Sequence, residues 1–327
     1  MDKKTIRWGI IGAGNVTEVK SGPGFYKNPD SQLLAVMRRD SDKARDFAER
    51  HQVPLWYNDA SALLANPDID AVYIATPPLQ HKDYALAALA AGKHVYIEKP
   101  VTMNAAECDD IIAAQSATSL KVCVAHYRRF VPCFLKFFDL IQQGAIGKPL
   151  LARIDMLRSA NNNLIAKTDE NWRVNPAISG GGLFHDLAPH QLDLLLHWFG
   201  PVMDARGFGT NQAGLYPADD CVIGWARLHS GIEFQGRWHY AIPAHLEQDL
   251  CEIIGTEGSL SINFFGEQVI QLHNRDGQQT FRIPNPTHIQ QPMIEQVNHY
   301  LRGERNNPCS VEEAKAVMAL MDCFTQK

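Results

Sequence analysis

No stretch of about 18 consecutive apolar residues occurs in this sequence, so the usual signature of a membrane-spanning helix is missing. After Met1-Asp2-Lys3-Lys4 only a short apolar stretch precedes the first glycines. It is too brief for the core of a secretion signal and lacks a small-residue cleavage site, so a cytoplasmic protein with no membrane partner is expected. Cysteine is sparse: seven residues, an odd total, with no Cys-x-x-Cys pair, which excludes a disulfide framework and a paired-cysteine zinc site. No His-x-x-x-His or His-Glu-x-x-His spacing occurs. Asp186 and His190 would offer zinc two ligands without a clear supply of others, so no metal is expected. The absence of Gly-x-Ser-x-Gly removes support for serine hydrolysis. Positive charge is not in excess either. Lys and Arg number 31 against 36 Asp and Glu, a net charge of -5 that argues against nucleic-acid partners. There is no internal repeat and no low-complexity segment.

What remains is a globular composition over 327 residues, a length that suggests two domains. The first 125 residues alternate short apolar runs with helical segments. Thr5–Gly12, Leu33–Met37, Ala71–Ala75, His94–Ile97 and Lys121–Ala125 read as strands; Asp42–His51, Ser61–Leu64, Lys82–Ala91 and Ala105–Ala117 read as helical. Such alternation implies right-handed βαβ crossovers and a doubly wound parallel sheet, the Rossmann arrangement. A helix over Val131–Gln143 follows. The second half then strings together Leu150–Arg158, Asp220–His229, Ile232–His239, Gln248–Ile254, Ser259–Asn263, Val269–His273 and Gln279–Ile283 as strands with tight turns. The expected fold is therefore α/β plus α+β. Residues 1–125 form a cofactor-binding Rossmann domain, and 126–327 an α+β domain on a large, mostly antiparallel open sheet. Helices over Gln290–Arg302 and Val311–Thr325 close the chain, the second capped by Ser310 and packing back on the first domain.

Gly12-Ala13-Gly14-Asn15-Val16-Thr17 follows the first strand directly. Gly12 permits a tight turn, and Gly14 lets the backbone approach a pyrophosphate seated on the next helix start, beside Asn15 and Val16. Thr17 stands at the third glycine position, so the fingerprint is incomplete. The second strand ends in Arg38-Arg39-Asp40 rather than in an acidic residue. Two guanidiniums can clamp a 2′-phosphate, which favours NADP(H) with NAD(H) as the alternative, unless these residues form only a solvated charged loop. Farther on, Asp186 and His190 lie four apart after three glycines, and on one helix they would share a face with Asp193 and His197. A polar stripe on an apolar helix needs partners or a wet cleft. Asp193 and His197 read as orienting or domain-packing residues.

Ala75-Thr76-Pro77-Pro78-Leu79-Gln80-His81 and Glu98-Lys99-Pro100, behind that glycine turn, resemble the glucose–fructose oxidoreductase/inositol dehydrogenase (Gfo/Idh/MocA) family. Tyr127-Arg128-Arg129-Phe130, Trp172-Arg173, and Gly180 through Asp186, His190 and Asp193 extend the resemblance over nearly the whole chain. The resemblance implies a nicotinamide-dependent oxidoreductase acting on a sugar, inositol or related small polyol. Lys99 would sit beside the nicotinamide, before a cis Lys99–Pro100 peptide, and Glu98 would orient it or contact the cofactor. Thr76, Pro77 and His81 would line the nicotinamide. Arg128 would reach the cofactor amide or the substrate, and Trp172-Arg173 would contact NADP.

The expected chemistry is hydride transfer with Lys99 stabilising charge on the carbonyl oxygen and His190 as general acid or base. Asp186 holds a substrate hydroxyl or orients His190. The connection Ser159–Gly182 is expected to act as a lid. An open sheet face must be solvated or buried, and the resemblance implies that it pairs with a second copy, giving a homodimer or larger even homo-oligomer. Two rival readings keep the cofactor: an NAD-dependent glycoside hydrolase working by transient oxidation, and a non-catalytic NADP-sensing regulator.

Overall fold

The computed structural model describes residues 5–160 and 171–326, so the middle of the expected lid, 161–170, lies outside the described residues. The chain folds into two compact units, 1–127 with 287–315 and 128–286 with 316–327.

The first unit holds six parallel strands: β1 (Ile6–Ile11), β2 (Ser31–Met37), β3 (Leu55–Tyr57), β4 (Ala71–Ile74), β5 (His94–Ile97) and β6 (Val122–Val124). Their order is β3-β2-β1-β4-β5-β6, the doubly wound order with its switch point between β1 and β4. The strands are short, apolar and buried on both faces, as a helix-covered parallel sheet requires. β3 was not expected from the sequence. It is a three-residue edge strand with Leu55 and Trp56 more than a third exposed, too short and too wet to show a period. Two short helices, Asn15–Val19 and Gly22–Tyr26, fill the β1–β2 crossover, and the second was also not expected.

Ascribing all of 126–327 to a second domain differs from the observed division, because 287–315 belongs with the first unit. The cause is specific packing. The indole N–H of Trp8, wholly buried in β1, donates to Asn298 Oδ1 at 3.0 Å on the helix Gln291–Leu301. Ile294 of that helix occupies the space a side chain at Gly24 would need. The helix Val311–Thr325 starts with reciprocal bonds between Ser310 and Glu313, a capping box. Its residues up to Lys315 belong to the first unit and the remainder to the second.

The second unit is built on eight strands: β7 (Pro149–Leu157), β8 (Val202–Thr210), β9 (Cys221–Leu228), β10 (Glu233–His239), β11 (Gln248–Gly255), β12 (Gly258–Ile262), β13 (Val269–Asn274) and β14 (Gly277–Arg282). The order is β14-β13-β12-β11-β7-β10-β9-β8, antiparallel throughout except for the β7–β10 pair. β8 was not expected, since Gly207 and Gly209 interrupt its pattern. Both glycines are required by close approach: a Cβ at Gly207 would lie 2.7 Å from Ile223 O and from the Phe324 backbone, and one at Gly209 would lie 2.5 Å from an Asp219 carboxylate oxygen.

One face of this sheet is covered. Phe234 and Trp238 of β10 point inward, Trp238 packs on Phe184 and Phe324, and its indole donates to Gln191 Oε1 at 2.7 Å. The other face is not covered by the described residues. Leu151, Phe208 and Ile254 remain 38–47% exposed there, along a groove of about 750 Å³ that Trp225 and Gln235 also line. Among the described residues no helix is long and apolar enough to cross a membrane.

Candidate active site

Gly12 has φ +93°, and a Cβ on it would meet Thr76 N and Cγ2 at 2.8 Å, so the glycine is forced by the chain itself. Gly14 is different. Its added Cβ would meet only Gly12 O, at 3.8 Å, so the protein leaves the space beside it open. The Gly12 and Ala13 N–H groups both bond Met37 O, fixing the turn to the end of β2. Gly14, Asn15 and Val16 begin a helix whose first N–H groups have no intrahelical acceptors. Thr17 replaces the third glycine without clashing because it is buried and its hydroxyl returns to Gly14 O at 2.7 Å. The helix is only five residues long. Glu18 anchors it from the side, accepting from Arg50 Nη1 and Nη2 at 2.9 and 2.8 Å and meeting His51 Nε2 at 2.8 Å. The guanidinium holds its carboxyl down at about 2.

At the end of β2, Arg38 is half-buried and Arg39 exposed, and among the described residues neither forms an ion pair. Asp40 is spent locally. Its Oδ1 caps the helix Ser41–Arg50, accepting from the N–H groups of Asp42 and Lys43 at 3.1 Å. Thr76 Oγ1, in the loop after β4 that abuts Gly12, is buried without a hydrogen-bond partner among the described residues.

His81 departs from expectation. It is fully buried, with Nε2 2.7 Å from Thr76 O and Nδ1 2.9 Å from Pro100 O. It therefore clamps the loop after β4 to the loop after β5 instead of presenting its ring to a ligand. Burial lowers its pKa, against the pull of the two carbonyls. Pro77 and Lys99 are half-buried, and the Lys99–Pro100 peptide is cis. Glu98 is buried. Its Oε1 accepts from Tyr73 OH at 2.5 Å and Gln290 Nε2 at 2.7 Å, and its Oε2 accepts from the Lys99 N–H at 2.9 Å.

In the second unit, Asp186 and His190 do not share one unbroken helix. Pro189 supplies no N–H, and the segment divides at Ala188 into Leu183–Leu187 and Pro189–Phe199. Asp186 is 18% exposed and pairs with Arg173 Nε at 3.3 Å, while Arg173 stacks on Trp172 at 4.5 Å. Trp172-Arg173 thus meets the carboxylate of its own unit. His190 is buried, with its ring edge-on to Phe265 at 5.9 Å. The expected stripe does not continue: His197 is exposed, whereas Asp193 is buried against Arg129, accepting three bonds of 2.7–3.2 Å.

Arg128 is also buried. Its Nη1 donates to Phe264 O at 2.6 Å and its guanidinium lies 4.6 Å over Phe265. Asp249 fixes the same loop through the N–H groups of Phe264 and Phe265, and burial raises its pKa. Adjacent arginines therefore hold the His190 region from two sides, Arg129 through its helix and Arg128 through the loop against its ring. Phe265, which the sequence does not single out, is a contact of His190. Tyr73 and Gln290 were missed altogether. Tyr73 looked like an ordinary strand aromatic, and only the unusual burial of an amide marks Gln290.

Residues 6–126 match the family model described as an oxidoreductase family with an NAD-binding Rossmann fold (GFO_IDH_MocA), and residues 134–261 match the GFO/IDH/MocA C-terminal domain. Oxidoreductase P35 of Formosa agariphila is 46% identical over 319 residues, covering 98% of each chain. The 1,5-anhydro-D-fructose reductase of Ensifer adhaerens is 27% identical over 259 residues, 78% of this chain and 74% of that one. Among solved structures, the aldose-aldose oxidoreductase of Caulobacter crescentus shares the fold with a TM-score of 0.85 at 20% identity, covering 98% and 96% of the two chains.

Proposed function

Because this chain belongs to the GFO/IDH/MocA oxidoreductase family and is a nicotinamide-dependent enzyme of CH–OH and C=O groups, we propose that it uses NADP(H) to interconvert a ketone and an alcohol on a sugar, inositol or related small polyol. The observation that carries the cofactor half is the Gly12–Gly14 turn, with one glycine forced by the fold and the other leaving space that the protein does not use. Gly14, Asn15 and Val16 hold the pyrophosphate, Arg38 and Arg39 the 2′-phosphate, and Thr76 and Pro77 the nicotinamide half. The sugar-like substrate class is favoured by the 1,5-anhydro-D-fructose reductase relative.

When bound, the nicotinamide supplies or accepts the hydride. Lys99 holds a cation against the oxygen on which charge develops. His190 delivers a proton to that oxygen in reduction and removes it in oxidation. Asp186, kept in place by Arg173, accepts a hydrogen bond from a substrate hydroxyl. Phe265, Arg128 and Arg129 keep the His190 ring oriented. An assay of NADPH oxidation and NADP reduction across a panel of ketoses, anhydro-sugars, inositols and vicinal diols tests the proposal. No turnover of any member with either NADPH or NADP would overturn it.

The uncovered face of the second sheet is assigned to another copy of this chain. Apolar residues on it lie among paired charges, Asp155 with Arg237 and Arg153 and Arg153 with Glu252, a mixture suited to an interface. Light scattering should give an even multiple of the chain mass, and Phe208→Glu should lower it.

A further inference from the structure

We propose that Gln290, together with Tyr73, is a positioning residue for Lys99, acting through the carboxylate of Glu98. The inference rests on Lys99 as the charge-stabilising group. Glu98 precedes Lys99 and is 6% exposed, yet none of its hydrogen-bond donors among the described residues carries a formal charge: the Tyr73 phenol, the Gln290 amide and the Lys99 N–H. The first two converge on Oε1, which leaves Oε2 for the Lys99 backbone. A carboxylate without a counter-ion depends on each dipole aimed at it, and losing one releases the group to rotate.

Gln290 is held for this task. Its residue is 1% exposed, and it stands at the start of the helix Gln291–Leu301, where its C=O accepts from Ile294 and its N–H donates to Lys20 O at 3.3 Å. The carboxylate can only accept, so the NH₂ end of the amide must face it. The opposite end, Oε1, is buried without a partner. An apolar side chain would fill such a buried position without that penalty, and the amide is explained by what its nitrogen does. Lys20 follows the helix Asn15–Val19. One residue thus spans from the end of the phosphate-binding helix to the carboxylate that caps Lys99, from a sequence separation of 192.

The test compares Gln290→Leu, Tyr73→Phe, Glu98→Gln and the Gln290→Leu/Glu98→Gln double variant in the full chain. Two readouts are used: NADPH oxidation with 1,5-anhydro-D-fructose, and the rate of Lys99 acetylation by acetic anhydride, followed by peptide mass spectrometry without cofactor. Gln290→Leu is expected to lower kcat about 10- to 100-fold, with KM within about threefold, because a small misplacement of the ammonium is enough. Lys99 acetylation should change by about threefold or more, and neither loss should grow further in the Glu98→Gln background. An acetylation rate unchanged in both Gln290→Leu and Tyr73→Phe would overturn the proposal, as would equal losses in both backgrounds. Tyr73→Phe keeps the ring in its aromatic packing, so it remains informative if Gln290→Leu folds poorly. A Lys99→Met variant with normal turnover would remove the catalytic reading instead, while acetylation of the other variants would still decide the positioning claim.

Discussion

Replacing Asp193 by Ala should be among the most destabilising single changes in the second unit. The side chains of Arg129 and Asp193 are 3% and 1% exposed and joined by bonds of 2.7, 3.0 and 3.2 Å. Truncation takes three charge-assisted bonds and a carboxylate away from a buried guanidinium, a kind of change that costs about 3–5 kcal/mol. For a unit of this size that corresponds to a fall in Tm of about 6–20 °C. The pair should not be worth that much against an apolar substitute, since both charges were desolvated to make it. The double change Arg129→Met/Asp193→Leu should therefore lie well above Asp193→Ala, within about 1–2 kcal/mol of the parent. Urea unfolding followed by tryptophan fluorescence reports it, because Trp198 and Trp238 lie in this unit. A loss below about 1 kcal/mol for Asp193→Ala, or a double variant as unstable as the single, would refute the buried-charge reasoning. The same pair fixes the helix three residues from His190, so the double variant should fold well and still turn over more slowly than the parent.

Changing both Arg38 and Arg39 to Ser should weaken NADPH binding several-fold to a hundredfold and leave NADH nearly unchanged in fluorescence titrations at fixed ionic strength, on charge-assisted contacts of roughly 1–3 kcal/mol; equal losses for both cofactors would count against a 2′-phosphate clamp. His190→Asn should keep cofactor affinity and lower turnover by about a hundredfold to ten-thousandfold, with one limb of the pH–rate profile flattened. A large drop in melting temperature with an unaltered profile would make His190 a packing residue instead. Glu18→Gln should destabilise the first unit at neutral pH. The folded pKa of about 2 lies below the unfolded value near 4.5, so this contribution is complete above the unfolded value and is lost as pH falls toward 2. Parent and variant melting temperatures should therefore converge on acidification, and a constant gap down to pH 3 would contradict the assignment.

The parts of the fold legible in the sequence are those with a local cause. β5, written His-Val-Tyr-Ile between polar residues, is found at the expected bounds, and the Ser310–Glu313 box marks the last helix start. The misses have physical reasons too. Edge strands β3 and β8 carry exposed or glycine positions because pairing on one side alone sustains them, and periodicity does not record that. The helix presumed to carry Asp186 and His190 on one face is divided because Pro189 interrupts its bonding, so spacing alone could not settle which face each residue takes.

At the candidate site, the residue types were legible but their commitments were not. Arg128, Arg173 and His81 have the chemistry to meet a ligand, and each is engaged by the protein: Arg128 by the Phe264–Phe265 loop, Arg173 by Asp186 and Trp172, His81 by two backbone carbonyls. A charged or aromatic residue near reacting groups can serve them as well by holding a neighbour still as by touching substrate. Only partner geometry separates the two. The converse holds for Gly14, where the informative quantity is empty space, and for Gln290, whose neighbour in function is 192 residues away. Long-range side-chain bonds of that kind leave no period or spacing in the sequence. They depend on a return of the chain, and the segment 287–315, which sequence order places with the second unit, is what supplies it.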